Sequence, residues 1–102
     1  MNEHVKELRK LYGMLMEELA GAEDYSRMAC DHKMKNPEAA KKFDAIASDE
    51  LKHARIIEQE INAIAKASAP DSVENIICDF MSEPIADAWM KAKSMQSRYK
   101  GG

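Results

Sequence analysis

Apolar residues recur in this chain at alternating spacings of three and four over two long stretches, with one short polar connector between them. The first stretch, from about Asn2 to Asp31, carries Leu8, Leu11, Leu15, Glu18, Ala22, Tyr25, Ala29 and His32 in one row, widened by Met14 and Met28. The second, from about Pro37 to Lys66, carries Ala39, Phe43, Ile46, Glu50, His53, Ile57, Glu60 and Ile64, flanked by Ala47, Ala54 and Ile61. This is the period of helices packed along a bundle seam. The connector His32-Lys33-Met34-Lys35-Asn36-Pro37 supplies Asn36 as an N-cap and Pro37 as a first helical residue. A connector so short makes the two helices antiparallel neighbours, each ~42 Å long at ~1.5 Å per residue. The main body is therefore expected to be an all-α, long antiparallel helical hairpin over residues 1–69.

Ala69-Pro70 breaks the second helix, and a C-terminal helical segment fills residues 70–102. Asp71 followed by Glu74 reads as a capping box, and Val73, Ile76, Ile77, Phe80 and Met81 as an apolar side. Pro84 is expected to interrupt this third helix, with Ser82 or Glu83 capping a restart through Ile85, Ala88, Trp89, Ala92, Met95 and Tyr99. Lys100-Gly101-Gly102 reads as a frayed end. The segment would pack on the bundle or mediate oligomerisation, with Trp89 as an anchor.

Composition supports the helical reading: Ala, Glu, Lys, Met and Leu abound while Val and Thr are scarce. A net charge of −3 with interspersed signs argues against a nucleic-acid partner. The N-terminal MNEHVKELRK lacks the apolar core of a signal peptide, and no run approaches the ~20 apolar residues of a membrane span, so a cytoplasmic location is expected. Cys30 and Cys78 lack close spacing and read as thiols buried in a reducing compartment.

Three polar residues interrupt the apolar rows: Glu18, Glu50 and His53. Folding the hairpin about its connector pairs positions that add to roughly 70, so Glu18 faces the step between Glu50 and His53. Those two are three residues apart on one helix and point the same way. Two carboxylates and an imidazole thus meet at one height, with no Lys or Arg on either row to neutralise them. Buried carboxylates are costly without a positive partner, and a metal ion is the simplest one. Oxygen and nitrogen donors of this kind suit iron, manganese or zinc. The bland alternative is a solvated polar gap in the seam. Glu60 sits in the same row but faces Lys10, where an ion pair is expected. His32 lies where a helix C-terminus favours a basic group, and His4 reads as a surface residue. Gly21 costs about 1 kcal/mol relative to Ala in a helix, which close helix approach beside the site would offset.

Two copies of the chain related by a two-fold axis would supply four carboxylates and two imidazoles, enough for a dinuclear centre, and would cover the hairpin's open face. Glu18, Tyr25 and the later Glu50-Leu51-Lys52-His53 resemble the half-bundle pattern of the ferritin-like superfamily, as in rubrerythrins and encapsulated ferritin-like proteins. The wording AGAEDYSRMACDHKMKNPEAAKKFDAIASDELKHA is also similar to small ferritin-like proteins encoded in bacterial prophages. The resemblance covers about residues 8–66. It implies dimerisation into a ferritin-like four-helix bundle around a di-iron or di-manganese carboxylate site. Glu50 would bridge the metals, Glu18 and His53 would be terminal ligands, and Tyr25 would donate a hydrogen bond to a ligating carboxylate, the alternative for Tyr25 being a plain core aromatic. Ferroxidase or peroxidase-type activity is implied with it.

Two other readings stand beside this one. In the first, the chain is a non-catalytic structural or adaptor protein of phage type, whose third helix and Met-rich faces oligomerise or dock a partner. In the second, the third helix closes a monomeric bundle and the three ligands hold a single ion.

Overall fold

The computed structural model describes residues 2–101; Met1 and Gly102, the outer ends of the two expected segments, lie outside them. Three helices follow one another: α1 (Glu3–His32), α2 (Pro37–Ala67) and α3 (Val73–Tyr99). Together they form a rod of 52 × 20 × 17 Å. Its exposed surface, 6621 Å², exceeds the roughly 5,800 Å² of a compact monomer of this mass. Among the described residues no helix is long and apolar enough to cross a membrane.

Each helix starts on a side-chain cap. The Asn2 carboxamide oxygen accepts from the Val5 amide at 2.7 Å, and Asn36 accepts from Ala39 at 3.2 Å ahead of Pro37. At α3 the cap is Ser72, which accepts from the Asn75 amide at 3.2 Å, so the expected capping box at Asp71 shifts by one residue. The gain is a side-chain clamp: Asn75 Nδ2 donates to the carbonyls of Ala65 (3.1 Å) and Ala69 (2.9 Å) at the end of α2. Orphan carbonyls of one helix are thereby satisfied by the first turn of the next. The chain end is also more ordered than a frayed tail. The Lys100 amide donates to Gln96 at 3.1 Å, and Gly101 adopts φ +91°, a conformation glycine supplies cheaply just past a helix.

α3 corrects the expectation of a restart at Pro84: it runs unbroken through the proline. A mid-helix proline costs about 3 kcal/mol through a lost hydrogen bond and a clash with the carbonyl four residues back. Pro84 and Phe80, which bears that carbonyl, are both exposed, so water can take the freed acceptor. On the other side Ile77 and Met81 before the proline, and Ile85, Ala88 and Trp89 after it, all pack into the core. Packing on both sides of the break holds the helix together.

α3 lies chiefly on α1 and only lightly on α2. This placement rotates the buried faces. The buried residues of α1 are Val5, Leu8, Leu11, Tyr12, Leu15, Leu19, Ala22, Ser26 and Ala29; those of α2 are Ala40, Ala47, Leu51, Ala54, Ile57 and Ile61. Burial, and then a hydrogen bond to Cys78, pushes the Tyr12 hydroxyl above its usual range and keeps it neutral. Cross-links position α3 further along: Gln96 donates to Ser48 at 2.8 Å and to Asp44 at 3.2 Å, and the Lys33 ammonium donates to the Tyr99 carbonyl at 2.6 Å. Trp89 packs against the core with Arg55 5.9 Å from its ring centroid, as an anchor of α3 should. Val73, Ile76 and Phe80 are exposed, Phe80 at 79%, so only part of the expected apolar side of α3 is used within the chain. The two cysteines are free and partly rather than fully buried.

Candidate metal centre

α3 meets α1 at Tyr12 and Cys30, and α2 at Asp44, Ser48 and Arg55. At ~100° per residue, Glu18 and Tyr25 on α1 and Glu50 and His53 on α2 then lie on the opposite face of the hairpin. They are at the edge of the α1–α2 seam, not in its centre. This is the physical reason His53 is 60% exposed in the single chain and Glu18 and Glu50 are only partly buried. Met14 and Ile46, 43% and 39% exposed, continue the same face as uncovered apolar surface.

The hairpin register places these groups together. His53 Nδ1 lies 3.6 Å from Glu18 Oε2 across the seam. Glu50 reaches over α1 at Gly21, so closely that a β-carbon there would overlap its carboxylate, with Glu50 Cδ at 2.9 Å. Oε2 of Glu50 is buried and accepts no hydrogen bond. Desolvation raises the Glu50 pKa above the ordinary carboxylate range; the negative charges of Glu18 and Asp24 add to this, while His53 opposes it. Nearby bases are occupied elsewhere. Arg27 pairs with Glu23 at 2.9 Å and Asp24 at 3.3 Å, and Lys52 with Asp49 at 4.0 Å. Glu50 therefore keeps a buried acceptor oxygen with no protein donor.

The arrangement in one chain is open. Among the described residues no group of three His, Cys, Asp or Glu side chains is gathered closely enough to hold a metal ion. What the fold brings together is an imidazole beside one carboxylate and a second carboxylate aimed at the same edge. Two carboxylates and a nitrogen donor form a ligand set suited to iron, manganese or zinc, and the unpartnered Glu50 oxygen is the kind of atom a cation would satisfy. The residues present fit such an ion.

Of the other residues singled out, the histidines fall as their sequence reading has them, while Tyr25 takes the plain aromatic alternative and Glu60 does not fill the role expected of it. Tyr25 is partly buried and stacks on Phe43, with centroids 6.2 Å apart and planes 30° apart. Phe43 in turn meets the His32 ring at 5.2 Å. Among the described residues no hydrogen bond links Tyr25 to Glu18 or Glu50, so in the single chain its contact is aromatic packing. His32 ends α1 with Nδ1 2.9 Å from the Met28 carbonyl, consistent with its helix-end position. His4 is exposed on the surface, 3.7 Å from Glu74. The expected Glu60–Lys10 ion pair is not formed: both residues are exposed, and among the described residues no pair links them. Rotation of the seam carries Glu60 out to solvent. Asp24, off the apolar row, 71% exposed and paired with Arg27, adds only a charge effect on Glu50 and no donor to the site.

The family model of rubrerythrin matches residues 3–89, most of the chain. No curated protein and no solved structure matches it. The match spans α1, α2 and the greater part of α3, and so reaches beyond the helical hairpin into the C-terminal segment. The three-helix, all-α chain is consistent with a ferritin-like fold, and it belongs to the rubrerythrin family.

Proposed function

We propose that two copies of this chain join by the open faces of their hairpins to form a four-helix bundle around a dinuclear metal centre. Each copy would contribute Glu18, Glu50 and His53. The observation that carries this reading is the buried, unpartnered Oε2 of Glu50, beside Glu18 and His53 on a face lined by exposed apolar residues. A buried anion without a donor is unfavourable, and so is exposed apolar surface. A second hairpin with its ions would relieve both.

Within this reading Glu50 would serve as the shared carboxylate, with Glu18 and His53 as the outer ligands. Iron is the preferred occupant, with manganese or zinc as alternatives suited to the same donors. Iron held there would supply one-electron redox chemistry of the ferroxidase or peroxidase type. The protein's own contribution is placement and exclusion of water. The 3.6 Å approach of Glu18 to His53 aligns two donors, and Met14, Phe43 and Ile46 form an apolar rim that a partner would close. A reducing cytoplasmic setting suits the two free thiols.

The test is light-scattering mass combined with metal analysis after anaerobic loading with ferrous iron. The expected result is one metal per chain at the mass of two chains, lost on Glu50→Ala or His53→Ala. One ion bound at the mass of a single chain would favour the closed-monomer reading. Protein that takes up no iron, manganese or zinc would overturn the proposal. A second function class, a non-catalytic adaptor, draws support from the exposed Val73, Ile76 and Phe80 on α3. Alanine at Glu18, Glu50 and His53 would then leave partner binding intact.

A further inference from the structure

We infer that Gly21 is a positioning residue for the Glu50 carboxylate, a gap in the side-chain surface of α1 that lets this ligand lie against the helix. The inference rests on the metal-site reading above and concerns a residue that contributes no donor atom.

Two glycines interrupt α1, and they differ in what surrounds them. A β-carbon on Gly13 would meet nothing within 4 Å. A β-carbon on Gly21 would overlap Oε2 of Glu50, with Cδ at 2.9 Å and Oε1 at 3.1 Å. Every one of these contacts is to the end of the Glu50 side chain. No backbone of a neighbouring helix comes closer to that β-carbon than the Glu50 carboxylate does, and Gly21 lies within regular helix, so its own conformation does not require glycine. The space it leaves is filled by one carboxylate.

That carboxylate is held at a disadvantage. Its Oε2 is buried with no hydrogen bond, although a flexible side chain on a helix edge could turn outward into water. A methyl group at position 21 would drive it outward. The chain would lose nothing in folding by this, because Ala favours helix over Gly and the displaced oxygen would regain hydration. It would lose the placement of a ligand. Stability and metal binding should therefore move in opposite directions on Gly21→Ala, a pattern that a purely structural glycine would not show.

The experiment compares wild type, Gly21→Ala and Gly13→Ala, using manganese(II) as the probe so that oxidation does not intervene. Metal-free melting temperature, metal-free mass by light scattering, and manganese affinity by calorimetry are read on each. Both variants should melt higher than wild type, by about 4–8 °C if the full helix-propensity gain is realised in a domain of this size. Mass should be unchanged. Manganese affinity should fall at least tenfold for Gly21→Ala and stay within twofold of wild type for Gly13→Ala.

Unchanged manganese affinity in Gly21→Ala, with wild type binding normally, would overturn the inference and leave the metal site standing. A lower melting temperature would overturn it by showing that Gly21 serves packing. A change in metal-free mass would overturn it by placing Gly21 in a subunit contact. Wild-type protein that binds no manganese, iron or zinc would remove the metal site and the inference together.

Discussion

Replacing Glu50 with Gln tests the central argument, because the amide keeps the size and shape of the side chain and removes its charge. Oε2 of Glu50 is buried without a donor, and desolvation, with the charges of Glu18 and Asp24, raises its pKa. A buried polar group left unsatisfied costs about 1–3 kcal/mol. Glutamine still leaves an unpaired atom there, so only the additional cost of charge is recovered, about 1 kcal/mol at the low end of that range. Metal-free E50Q should then melt about 4–8 °C above metal-free wild type at pH 7. The gain should depend on pH. Folded Glu50 binds its proton more tightly than the unfolded chain does, so wild-type stability increases as pH falls through the raised pKa and levels off below the ordinary carboxylate range. The advantage of E50Q is therefore full above the raised pKa and shrinks on acidification. Metal binding should move the other way, weakening at least a hundredfold, about 2.7 kcal/mol, as a charged ligand is lost. Thermal unfolding followed by circular dichroism in chelator, from pH 7 down to pH 4.5, with calorimetric metal titration at pH 7, reads all three. A metal-free E50Q protein that is less stable than wild type at neutral pH would refute the reasoning, since Glu50 would then be a favourable structural group.

Glu18→Ala and His53→Ala should each abolish stoichiometric metal binding and any metal-induced rise in mass, while changing metal-free stability by less than about 1 kcal/mol because both groups are partly exposed; metal analysis with light scattering decides. Asn75→Ala should lose about 1–2 kcal/mol and speed amide exchange over residues 65–72, because it releases the carbonyls of Ala65 and Ala69. Leu15→Ala should cost about 2–5 kcal/mol in chemical denaturation, as Leu15 is fully buried among all three helices. A cost under 1 kcal/mol there would contradict the core described above.

The hairpin was legible because its signals are local and redundant. Spacing of apolar residues, the Asn36-Pro37 start and the shortness of the connector each point to two antiparallel helices, and the register followed from the connector alone. That register placed Glu18 opposite the step between Glu50 and His53, and the structure finds the His53 ring nitrogen 3.6 Å from the Glu18 carboxylate. Three features were not legible. The unbroken course of α3 through Pro84 depends on core contacts from residues on both sides of it. The cap at Ser72 instead of Asp71 depends on Asn75 meeting the end of α2. The fate of Glu60 depends on which way the seam is turned.

Sequence alone thus determined the two hairpin helices, their pairing and the register that sets Glu18 at the level of Glu50 and His53, since periodicity and chain length act along one dimension. Only the tertiary structure decided how far those residues are buried. A row of apolar positions around a helix is wide enough to face more than one neighbour, and the site of α3 selects which part becomes core. By packing over Tyr12, Cys30 and Arg55, α3 left the polar trio at the opposite, open edge, with the Glu50 carboxylate lying on Gly21.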